Sequence, residues 1–162
     1  MKSKFNKYLI GVILFLFFNG NAVIAQWYNP EKVNKKAVKI YESAYDFAVN
    51  GEYEKSIEKI NEAIKIAPKY VEAYLSRAGI YAEMKNYTAS VSDFKTAFDM
   101  DSIFSSTYLL PYSISLAGTG DFDNALSKVT AFLATEKLNP QSIKSGNYRK
   151  HTYEFAIEYR KK

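Results

Sequence analysis

The chain has 162 residues, 48% hydrophobic and 24% charged, with 22 Lys and Arg against 17 Asp and Glu. It has no Cys and a single His, which excludes disulfide staples, Cys-ligated zinc and thiol chemistry. Without the first 25 residues, which hold Lys2, Lys4 and Lys7 and no acid, the formal charge falls from +5 to +2. That balance is too slight to point to nucleic acid, and no nucleic-acid partner is expected.

Residues 1–25 read as a signal peptide. Lys2, Lys4 and Lys7 precede an apolar run from Tyr8 to Phe18, Asn19-Gly20-Asn21 breaks it, and Val23-Ile24-Ala25 offers a cleavage site before Gln26. The run falls well short of the ~20 residues a membrane-spanning helix needs. The expected product is periplasmic or secreted, cut near Ala25, with no transmembrane segment in the mature form. Residues 26–32, with Trp27 and Pro30, form a short lead-in.

From residue 33 to 140 one pattern recurs. Gly51-Glu52-Tyr53, Lys85-Asn86-Tyr87 and Gly120-Asp121-Phe122 place an aromatic at intervals of 34 and 35 residues. A period of that length marks stacked helical hairpins, each of which needs its neighbour to complete a core. Three hairpins are predicted, at 33–70, 71–104 and 105–140. The apolar spacing gives Ile40, Ala44 and Phe47 to the first helix, then Ile57, Ile60 and Ile64 to its partner. In the second unit Tyr74, Ala78 and Tyr81 precede Phe94, Ala97 and Phe98. In the third, Leu109, Tyr112 and Leu116 precede Leu126, Val129 and Leu133. Asn50-Gly51 suits a left-handed turn, and Asn86 is expected to replace Gly at the second turn. Pro68 ends a helix; Pro111 is tolerable only near the start of one. Residues 141–162 keep helical spacing among many cations, and a capping helix with one polar face is expected there.

These residues resemble the tetratricopeptide repeat. Tyr74, Ala78, Tyr81, Tyr87, Phe94 and Ala97 fit its motif, as do Ala44, Gly51, Tyr53, Ala63 and Pro68, and Gly120, Phe122 and Ala125. The resemblance covers roughly residues 33–138. It implies an all-α fold, a right-handed solenoid of about three hairpins plus a capping helix, and a role in holding another protein. Ser56 and Ser90 depart from the motif, standing where Ala is usual, as does Phe132. A narrower likeness runs through Phe132-Leu133-Ala134, Leu138-Asn139-Pro140 and Tyr153-Glu154-Phe155-Ala156. It is similar to the helical front end of Gram-negative envelope proteins that continue into a β-propeller and an OmpA-like domain, some serving gliding or type IX secretion. Neither downstream part is expected within these 162 residues.

Little in the chain points to chemistry. A Ser-His-Asp site would have to use His151, in the basic terminal segment. Ser-x-x-Lys occurs at Ser56 and Ser92, without the companion motifs of penicillin-binding chemistry. The acidic clusters Asp99-Met100-Asp101 and Asp121-Phe122-Asp123-Asn124 lack calcium-loop spacing; Asp121 and Asp123 are better placed to cap a helix. Glu54, Glu58 and Glu62 alternate with lysines on a solvated face. No catalytic residue, metal site or cofactor is assigned.

The expected site is the concave face of the first helices of the hairpins. On the repeat register it takes Tyr41 and Tyr45, Leu75 and Gly79, Leu110 and Ile114, with Ala48, Ala82 and Ala117 behind. Such a groove is apolar and rich in Tyr, a residue favoured at binding hot spots. The Lys and Asn clamp with which some members of the family grip a C-terminal carboxylate is missing from these places. The expected partner is a peptide or helix of an envelope or secretion component. The alternative is a structural module whose groove is filled by its own residues 141–160.

Overall fold

The computed structural model describes residues 28–135 and 137–162. The expected signal peptide, with Gln26 and Trp27, lies outside them. Among the described residues seven α-helices follow one another: α1 (Lys35–Val49), α2 (Tyr53–Ile66), α3 (Val71–Glu83), α4 (Tyr87–Met100), α5 (Leu109–Gly118), α6 (Phe122–Leu133) and α7 (Pro140–Arg160). Short 3-10 turns occupy Pro30–Lys32 and Phe104–Tyr108. Helices pack on their neighbours in sequence, most closely within the pairs α1–α2, α3–α4 and α5–α6, which are hairpins in an all-α solenoid. No helix among the described residues is long and apolar enough to cross a membrane.

The repeat spacing produces two cores. Ala37, Ala44, Ile60, Ala63, Tyr70, Ala73 and Ile80 join the first hairpin to the second. Val71, Leu75, Phe94, Tyr112, Leu116, Val129 and Tyr153 carry the second core on through the third hairpin to α7. The departures at Ser56 and Ser90 have a physical reason. Each is fully buried, and its hydroxyl donates to a carbonyl of the facing helix, Ser56 to Ala44 (2.8 Å) and Ser90 to Ala78 (2.7 Å). A serine is as small as the site requires and adds a bond between the helices of the pair. The third hairpin exchanges the roles, with Ser113 opposite Ala125 at the same register.

The second turn differs from its expectation. The left-handed residue is Lys85 (φ 60°), level with Gly51 (φ 77°) and Gly120 (φ 82°). Asn86 instead caps α4, its side chain accepting from the Ala89 N–H (3.2 Å), as Asp121 caps α6 for Asn124 (3.3 Å). A Cβ in the left-handed region crowds the carbonyl oxygen, which glycine avoids. Lys85→Gly is therefore expected to stabilise the protein by about 0.5–1 kcal/mol, read as a higher denaturation midpoint. A lower midpoint would mean that the Lys85 side chain contributes more than its backbone costs.

Both prolines near helix starts are accommodated. Pro111 is the third residue of α5, where the N–H it lacks would have no intrahelical acceptor. Pro140 does not close the third hairpin: α6 ends at Leu133, and Pro140 opens α7 behind the Asn139 cap, which accepts from the Ser142 N–H (2.8 Å).

The lead-in is more than a spacer. The Tyr28 N–H donates to Asp101 Oδ2 (2.9 Å), 73 residues away, and its ring stands edge-on to Phe104 at 4.9 Å. Its hydroxyl reaches the Glu72 carboxylate, whose pKa burial holds above the usual range against its own backbone N–H. Asp101 Oδ1 meanwhile accepts from the N–H groups of Ile103 (3.0 Å) and Phe104 (2.8 Å).

α7 packs against α6. Tyr153 is buried beside Phe122 at 6.3 Å between ring centres, and Arg160 donates to Asp123 (2.7 Å). Asp123 thus serves that pairing, and Asp121 alone of the two caps α6. The outer face of α7 is not the polar one expected. Tyr148, Phe155 and Tyr159 are each at least 70% exposed there, the last two stacked at 6.3 Å.

Candidate functional site: a groove between the first two hairpins

α1 and α3 are the first helices of consecutive hairpins, and between them lies a groove of about 680 Å³. Tyr41, Tyr45, Ala48 and Val49 of α1 form one wall, and Ser76, Gly79, Ile80 and Glu83 of α3 the other. Tyr53, Ser56 and Ile60 of α2 supply the floor. The lining is mostly apolar. Tyr45 (70% exposed) and Val49 (66%) project free of the hairpin cores.

Tyr41 differs from Tyr45 in being fixed. Its hydroxyl lies 2.6 Å from Ser76 Oγ, joining the two walls, and its ring packs on Tyr70 at 5.0 Å. Burial pushes the Tyr70 hydroxyl up to about 12, with Tyr41 and Glu42 adding to the shift.

Of the six residues expected on this face, Tyr41, Tyr45 and Gly79 line the groove, with Ala48. Leu75 does not. It is fully buried in the second core, where Tyr112 and Leu116 of the third hairpin join the same cluster. Leu110 packs half-buried against that same core, and Ile114 is half-buried on α5; neither reaches the groove. The alternative, that residues 141–160 fill it, is not met, since α7 lies on α6 and contributes nothing to the lining. The groove also takes Glu42, Val49, Tyr53, Ser76, Ile80 and Glu83, to which the repeat register does not point. A helix-by-helix reading gives Tyr53 and Ile60 to the hairpin core, and they serve core and groove together.

The most telling residue is Gly79. It sits in the interior of α3, its φ is ordinary, and a Cβ built on it would meet nothing within 4 Å. Neither the turn geometry nor close packing asks for glycine here, yet glycine costs roughly 0.5–1 kcal/mol against Ala in a helix. What it leaves is clearance in the groove wall.

A second cleft of about 380 Å³ lies between α4, α5 and α6. Lys128 already sits over its two aromatic faces, Tyr112 at 5.3 Å and Phe98 at 5.5 Å. Among the described residues no group of three or more His, Asp or Glu is placed to hold a metal, and His151 is exposed beside Glu154.

Residues 71–104, the α3–α4 hairpin with its following turn, match the tetratricopeptide repeat family. No curated protein matches the chain in sequence. The fold is similar to the first TPR domain of Spaghetti (RPAP3) bound to the HSP90 peptide SRMEEVD. There the TM-score is 0.68 and the identity 15%, over 76% of this chain and 94% of that one. It is also similar to the TPR2B domain of yeast Sti1 in its pHsp70 complex (TM-score 0.66, 17% identity, 75% and 98% covered). A third similar structure is the Yersinia enterocolitica type III secretion chaperone SycD with a peptide of the translocator YopD (TM-score 0.63, 16% identity, 80% and 97% covered). With the matched repeat at its centre and hairpins of the same build on either side, the chain has the fold of a tetratricopeptide-repeat solenoid.

Proposed function

We propose that the protein is an adaptor that holds a segment of another protein in the groove between α1 and α3. Gly79 carries this reading: a glycine that destabilises its helix and relieves no clash is explained by an occupant that needs the space. The exposed Tyr45 and Val49 beside it offer apolar area that neither core uses. Three similar structures are described as complexes with peptides or with pHsp70, which supports the same use of this fold.

The test separates folding from binding. Gly79→Ala is expected to stabilise the protein by about 0.5–1 kcal/mol. Gly79→Phe fills the groove and Tyr45→Ala removes its free aromatic. Each is expected to cut partner retention in a crosslinking pull-down by about thirtyfold, the ~2 kcal/mol of a hot spot, with melting curves little changed. If both variants retain the same proteins as the parent chain, the groove is not the site.

We further propose that the adaptor works after export, on a partner in the cell envelope or secretion machinery. The support is the basic start and short apolar run of residues 2–18. Intact-mass measurement of the envelope fraction is expected to find a chain starting at Gln26; a full-length chain in the membrane pellet would refute this.

The outward aromatics of α7 favour a second reading, a structural module docked into a larger assembly through Tyr148, Phe155 and Tyr159. In that case their replacement by Ser, and not Gly79→Phe, would abolish retention.

A further inference from the structure

If the groove is a protein-binding site, as proposed above, the charges around it bear on the chemistry of its occupant. Among the described residues its charged lining consists of Glu42 on α1 and Glu83 on α3, both exposed; no Lys, Arg or His lines it. The repeat register sets Glu42 level with Ser76, and Glu83 level with Val49. The two carboxylates are therefore offset by seven residues along parallel helices, roughly 10 Å along the groove at 1.5 Å per residue. Between them lie Tyr45, Gly79 and Ile80.

We infer that the groove takes a protein segment with an aliphatic anchor flanked by Lys or Arg, and rejects acidic tails. The anchor sits over Gly79, against Tyr45 and Ile80, where apolar area leaves water. The flanking cations meet Glu42 and Glu83. Their ~10 Å offset along the groove corresponds to about three residues of an extended segment or seven of a helix lying along it. An acidic tail meets the same two carboxylates with no cation to receive it, and like charges brought together across an interface oppose binding. The peptide SRMEEVD, held by one of the similar domains, ends in such a tail. This groove offers it nothing.

A phage-displayed library of random peptides, panned on the purified chain and counter-selected on Gly79→Trp, tests this. Peptides that bind the parent and not the plugged variant are expected to carry Leu, Ile or Val beside Lys or Arg. Their affinity is expected to fall about tenfold in Glu42→Lys/Glu83→Lys, and to fall with added salt. Glu42→Gln/Glu83→Gln, at exposed positions, gives a smaller loss in the same direction with the fold unperturbed. Groove-dependent peptides rich in Asp and Glu, or without charge bias, overturn the inference and leave the groove as a binding site. If no peptide depends on Gly79, the inference and the proposed site both fail.

Discussion

Phe94→Ala is expected to lower the stability of the protein by about 3–5 kcal/mol. Phe94 is fully buried on α4 and lies 5.3 Å from Tyr112 and 6.3 Å from Tyr108 between ring centres, so it fills the seam between the second and third hairpins. Truncation removes the transfer energy of the ring and leaves a cavity, because α5 is held by its own contacts and cannot collapse fully onto α4. Against the ~5–15 kcal/mol that a domain has in hand, the loss amounts to a melting point lower by roughly 10–20 °C. In a solenoid the damage is also local. Hydrogen exchange is expected to quicken in α4, α5 and α6 more than in α1 and α2, and Phe94→Leu to restore most of the loss. An unchanged midpoint would show that the two hairpins do not depend on this seam.

Asp93→Ala is expected to cost a similar 3–5 kcal/mol by a different route. Arg77 on α3 grips Asp93 on α4 with two parallel bonds, Nε and an Nη each 2.7 Å from a carboxylate oxygen. The side chains are only 17% and 8% exposed. The guanidinium also reaches Asn61 on α2 and lies over the Tyr74 ring at 5.4 Å, so one cation joins the first hairpin to the second. Its pKa is raised chiefly by the hydrogen bond to Asp93, so it stays charged across the accessible pH range. Removing the carboxylate strands that charge where water reaches it poorly. The pair itself adds little over an apolar replacement of the same volume, so Arg77→Met with Asp93→Leu is expected to recover most of the stability. If Asp93→Ala alone is neutral, Arg77 finds another partner and the pairing is incidental.

The hairpins were legible in the sequence because their causes are local. Helical periodicity, the Asp121 cap and the left-handed glycines at 51 and 120 each act within a few residues, and the 34- to 35-residue spacing comes from repeating them. Where a local rule had two candidates it misplaced one: Lys85, not Asn86, takes the left-handed position. The stacking of hairpins decided the rest. A first helix meets its own partner, the hairpin before it and the hairpin after it, and one helical stripe does not say which contact claims a given residue. The register therefore predicts Leu75 on the groove and the structure has it in the core, while Tyr45 and Gly79 stay open. The bond from Tyr28 to Asp101 and the clasp of Arg77 on Asp93 join residues brought together only after the hairpins stack. α7 lies on α6 because Tyr153 finds Phe122 there, and that leaves the groove between α1 and α3 free. The sequence by itself determined the repeat and its turns, since each is a property of one short stretch of chain. The tertiary structure alone decided which apolar residues remained for a partner, since that depends on how neighbouring hairpins cover one another.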